Sequence, residues 1–122
     1  MRDFRGLKVW ENGHRLALNT YEITGSFSKS ELYGLTSRLR RCAASVPANI
    51  AEGCGADGDA EFARFLEISM RSASELDYHL LLAHDLRLID AERYRALFEQ
   101  VTLVKKMLIS LIRKLRPHRR QT

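Results

Sequence analysis

Cysteine and proline are scarce in this 122-residue chain, two of each, and glycine stands at seven. So few breakers exclude a linker-rich or disordered chain. The two cysteines, Cys42 and Cys54, argue against a disulfide framework and fit a reducing compartment. Cys42 reads as a small apolar residue on a helix, and Cys54, between Gly53 and Gly55, as an exposed thiol in a loop. No Cys-x-x-Cys pair occurs, so no zinc is expected. No apolar run approaches the roughly 20 residues that span a bilayer. The opening MRDFRGLKVW has no apolar stretch after its charges and does not read as a secretory signal. The expectation is a cytoplasmic protein without membrane contact.

Constellations that carry catalysis are missing too. A metal site in a helical bundle wants Glu-x-x-His on two helices, and none is present. Glu75 and His79 lie one helical turn apart and could share a ligand, but a second set of ligands is lacking. The GCGADGD stretch at 53–59 lacks the lysine and hydroxyl of a phosphate-binding loop. It also lacks the glutamate that closes a calcium loop. Ser45, Ser69, Ser72 and Ser74 have no His–acid relay and read as small residues at helix contacts. The chain is therefore expected to be non-enzymatic, with no catalytic residue, cofactor or metal.

Helical periodicity is what the chain has in plenty. Hydrophobic residues make up 45% of it. At this length one domain over 1–122 is expected, an all-α, antiparallel up-down-up-down four-helix bundle. Helices are expected at about 8–24, 30–52, 60–87 and 91–116, with a basic tail at 117–122. In the first, Val9, Leu16 and Ile23 repeat every seven residues beside Trp10 and Ala17. Gly13 costs that helix up to about 1 kcal/mol relative to alanine, so a neighbouring backbone is expected close by. Ser28 and Glu31 read as a capping box for the second helix. Leu35, Leu39, Ala43, Val46 and Ile50 form its apolar face. Pro47 falls inside it at a cost of roughly 3 kcal/mol, which packing around the kink must offset.

The third helix carries two apolar rows. Phe62, Leu66, Ser69, Ala73, Leu76, Leu80 and Ala83 form one. Phe65, Ile68, Ser72, Glu75, His79, Leu82 and Leu86 form a second, which a lone bundle does not need. Its residues from Phe65 to Leu82 are the candidate oligomer interface. Asp90 is an N-cap for the fourth helix, with Ile89 stapled to Tyr94. Its core face is Leu97, Val101, Val104, Leu108, Leu111 and Leu115, and Pro117 stops it.

Three segments resemble a known family: FRGLKVWENGHRLAL from Phe4, YGLTSRLRRCAASVPANIAEG from Tyr33, and EFARFLEISMRSASELDYHLLLA from Glu61. The second is the most specific. The chain resembles the small four-helix-bundle proteins encoded in intervening sequences of bacterial large-subunit (23S) rRNA genes. The accessory variability determinant of diversity-generating retroelements is their relative. The resemblance implies a ring-like homopentamer. For the retroelement relative it also implies nucleic-acid binding and partnership with a reverse transcriptase. It brings no catalytic residues. Gly13 and Cys54 depart from the family pattern.

Charge points the same way. The net charge is +5, with a pI near 9.6. From Lys105 onward come Lys105, Lys106, Arg113, Lys114, Arg116, Arg119 and Arg120 without an acidic residue. Arg38, Arg40 and Arg41 cluster on the second helix. These ten residues are the candidate phosphate contacts, whether to DNA or RNA. Cations at a helix C-terminus also complement its dipole, so part of this surplus has a structural use. If Glu75 is buried in its apolar row, Arg38 or Arg41 is its expected partner. Two readings follow: an oligomeric accessory protein binding nucleic acid with little sequence preference, or an interaction scaffold without a nucleic-acid ligand.

Overall fold

The computed structural model describes residues 2–116, and every regular element among them is helical. The basic tail at 117–122, with Pro117, Arg119 and Arg120, lies outside the described residues. A 3₁₀ turn at Phe4–Gly6 leads into α1, Lys8–Thr24. Then come α2, Ser37–Cys54, α3, Gly58–Asp85, and α4, Ala91–Leu115. Helix α4 begins as expected: the Asp90 side chain accepts from the Arg93 amide at 2.8 Å. No helix among the described residues is long and apolar enough to cross a membrane.

Packing runs from α1 to α2, α2 to α3, α3 to α4, and α4 back to α1. The α1–α4 groove and the α2–α3 seam therefore lie on opposite sides of the protein. Phe62, Leu16, Leu39, Ile50, Leu66, Leu76, Leu80 and Leu108 are its largest fully buried side chains. They belong to one core cluster drawn from all four helices.

The second helix starts later than its pattern suggests. A 3₁₀ turn at Lys29–Glu31 and a wide π turn at Leu32–Thr36 precede α2. Gly34 leaves helical geometry there, at φ −109 and ψ −108. The expected capping box does not form, because the Ser28 hydroxyl bonds to the Ser30 hydroxyl at 2.7 Å.

Helix α2 also runs further than expected, through Gly53 and Cys54. Cys54 is thus not an exposed loop thiol. It is 1% exposed, and its carbonyl accepts the Arg2 amide at 3.0 Å. Gly53, in this last turn, faces α3. A Cβ there would lie 2.8 Å from Phe62 Cδ1 and 3.0 Å from Phe65 Cβ, so only glycine lets α3 come this close. Gly53→Ala is expected to destabilise the protein by about 1–3 kcal/mol, since the buried ring has no room to yield. Urea denaturation measures this directly.

Gly13 and Pro47 are explained together. A Cβ on Gly13 would meet Val46 Cγ1 at 3.2 Å, Ile50 Cδ1 at 3.6 Å and the Pro47 nitrogen at 3.8 Å. The glycine thus lets α1 press against α2 at the buried proline. On the other side of α2, the buried Ser69 hydroxyl donates to the Val46 carbonyl at 2.8 Å. Ser45 and Ser72 hydroxyls share a bond of 2.7 Å, and the Asn49 side chain donates to Ser45. The small serines expected at helix contacts form a polar seam between α2 and α3, while Ser74 is exposed.

Candidate functional site

Lysines gather at the α1–α4 groove. Lys106, Ser110 and Lys114 are four residues apart, so they share one face of α4. They line a cleft with Leu7, Lys8 and Val9 from the start of α1. No acidic residue lines it, and none of its three lysines enters an ion pair among the described residues. All three are exposed, as is Arg113 next to Lys114. Unneutralised cations in one groove attract a polyanion over about a Debye length. Sequence alone does not single out Lys8. Nothing in its neighbourhood marks it, and only the pairing of α1 with α4 brings it to Lys106 and Lys114.

Other candidate cations are tied within the protomer. Arg40 donates to the Thr24 hydroxyl at 2.9 Å and to the Tyr21 carbonyl at 3.4 Å. Its guanidinium lies 5.0 Å from the centre of the Tyr21 ring. Lys105 pairs with Asp77 at 3.4 Å, linking α4 to α3. Arg116 pairs with Glu67 at 2.7 Å and donates to the Ala60 carbonyl at 2.9 Å. Arg38 and Arg41 lie on the opposite side, in a cleft of the α2–α3 seam. The cationic residues of α2 and α4 therefore do not form one patch on a protomer.

Glu75 lines the cleft of Arg38 and Arg41 but forms no ion pair with either among the described residues. It is exposed, and burial, the motive for such a pair, is absent. The second row of α3 follows this seam. Phe65, Ile68, Ser72, His79 and Leu82 are half-buried, and α2 meets several of them. Phe65 lies against Gly53, Ser72 bonds Ser45, and His79 Nδ1 is 3.9 Å from Cys42 Sγ. Larger apolar exposure occurs at Leu18, Tyr21, Tyr78, Leu81, Phe98 and Leu103. Leu18 and Tyr21 join Trp10, Pro47, Ala48 and Ala51 in an apolar groove between α1 and α2.

Neither thiol is poised as a nucleophile. Burial pushes Cys42 up to about 11, and the Glu75 carboxylate adds to the rise. Burial also raises Cys54, against the pull of Arg2. A nucleophilic cysteine needs the opposite shift. Cys42 nonetheless completes a group that the spacing of Glu75 and His79 only began: ligand atoms of these three residues lie within 4.8 Å of one another. Its place on another helix hid it from any reading by local spacing.

Comparison with known proteins bears on the whole arrangement. The family model described as 23S rRNA-intervening sequence protein matches residues 5–110. Among solved structures, the chain is similar to a protein of unknown function from the S23 ribosomal protein family of Bacteroides thetaiotaomicron, known from a crystal structure. The two share 26% identity at a TM-score of 0.77, over 85% of this chain and 97% of the other. No curated protein matches the chain.

Proposed function

We propose that this chain, which belongs to the 23S rRNA-intervening sequence protein family, is a non-enzymatic accessory protein that assembles with itself and holds nucleic acid by its phosphates. The carrying observation is the α1–α4 cleft, which Lys8, Lys106 and Lys114 line without an acidic residue and without an ion pair among the described residues. Three lysines on one protomer bind phosphate weakly. A ring-like homo-oligomer of up-down-up-down bundles repeats them, and repetition turns weak contacts into avidity. Exposed Leu18, Tyr21, Leu81, Phe98 and Leu103 favour such assembly. A homopentamer is the size that the family resemblance suggests. Lysine is a compact point charge without forked donors, so the contact is to backbone phosphate and not to base edges. A partner enzyme acting on the same strand, of the reverse-transcriptase kind in the retroelement relative, would supply the chemistry.

The test is retention of labelled DNA and RNA on a filter at rising salt. Binding at low salt that falls steeply as salt rises, with little dependence on sequence, is expected. No retention at low salt overturns the reading. The second reading, a scaffold without nucleic acid, is favoured by the internal ties of Arg40, Lys105 and Arg116 and by the apolar α1–α2 groove. It predicts an oligomer that retains neither polymer.

A further inference from the structure

The geometry points to a binding site for a zinc-class divalent ion at the α2–α3 seam, with Cys42, Glu75 and His79 as its ligands. Cys42 comes from α2, while Glu75 and His79 lie one turn apart on α3 and so share a face. Their ligand atoms lie within 4.8 Å of one another, and Cys42 Sγ is 3.9 Å from His79 Nδ1. In a tetrahedral zinc site, bonds of about 2.0–2.3 Å set ligand atoms roughly 3.2–3.8 Å apart. The Cys–His distance is already near that range. Glu75 is exposed, so its carboxylate has room to make the remaining adjustment.

The donor set selects the ion. Thiolate and imidazole suit zinc, cobalt and similar borderline metals, whereas magnesium and calcium require oxygen ligands throughout. On binding, the ion replaces the Cys42 thiol proton, which passes to solvent. Thiolate and carboxylate then balance the double positive charge. Burial runs from Cys42, inside, through half-buried His79 to exposed Glu75, so the site is open to solvent on one side. That side is a cleft of about 370 Å³, lined by Cys42 and Glu75 together with Arg38, Arg41, Ser45 and Ser72. Three protein ligands leave a fourth position for water or an anionic oxygen. Two arginines in the same cleft favour the anion. The ion would clasp α2 to α3 where hydroxyl bonds already join them. This site lies across the protein from the Lys8–Lys106–Lys114 cleft and stands or falls without it.

The full-length chain, stripped with a chelator, is titrated with Co²⁺ and then with Zn²⁺. The expected result is one Co²⁺ per chain, with tetrahedral visible bands and a thiolate-to-cobalt charge-transfer band that Zn²⁺ bleaches. Glu75→Gln and His79→Gln should each weaken Zn²⁺ binding at least about tenfold while keeping the helical circular dichroism spectrum. Cys42→Ser should lose the charge-transfer band. Because Cys42 is buried and its replacement can disturb folding, the glutamine variants decide the matter independently. Absence of the band in the wild type, its persistence in Cys42→Ser, or unchanged zinc affinity in both glutamine variants overturns the proposal.

Discussion

Replacing Phe62 with alanine is expected to remove about 3–5 kcal/mol of stability. The ring is 1% exposed and heads the largest fully buried side chains. It fills the notch that Gly53 leaves on α2, and the Arg2 guanidinium covers it 4.5 Å from its centre. Truncation therefore opens a cavity where three segments meet, and helices pinned on both sides of the ring cannot close it. Folded domains hold only roughly 5–15 kcal/mol in total, so the variant should lose a large part of its margin. Chemical denaturation read by circular dichroism checks this through a lowered midpoint at unchanged slope. Tyr33 is the matched control. It is 93% exposed, and Tyr33→Ala should stay within about 0.5 kcal/mol of the wild type.

The second large effect concerns binding. Changing Lys8, Lys106 and Lys114 together to glutamine should leave folding intact, because all three are exposed and enter no ion pair among the described residues. Nucleic-acid affinity should fall, and its salt dependence should flatten. Each lost phosphate contact on duplex DNA removes about 0.9 from the log–log salt slope, so three contacts on one protomer remove about 2.7. If two protomers of an assembly engage the same strand, about 10³-fold in affinity is at stake between 50 and 200 mM salt. Lys105→Gln separates this account from one based on general positive charge. Lys105 is held by Asp77, so its loss should shift the slope far less than the loss of Lys106. Equal effects at the two positions would mean that the cleft has no special part in binding.

Much of the fold is legible in the sequence because it is local. Val9, Leu16 and Ile23 mark the inner face of α1, and Asp90 caps α4 as its position before the helical run suggests. Legibility fails where a distant element decides. GCG at 53–55 looks like a loop opening, yet α2 continues through Gly53 and Cys54, and the glycine leaves room for the Phe62 ring of α3. That continuation is what buries Cys54. At the front of α2, Gly34 permits a break that the apolar spacing bridges without trace. The candidate sites follow the same rule. Lys106 and Lys114 stand out as part of a basic run, but Lys8 joins them only through the packing of α1 on α4. Arg40, Lys105 and Arg116 read as free cations until their partners on neighbouring helices are known.

Sedimentation of one purified sample at low salt, followed simultaneously by protein mass and by nucleic-acid absorbance, bears most directly on assembly and phosphate binding together. We expect a particle whose protein mass is a whole multiple of 14.0 kDa and which carries added RNA or DNA until the salt is raised. A 14.0-kDa species that sediments apart from the nucleic acid at every salt concentration would contradict the account.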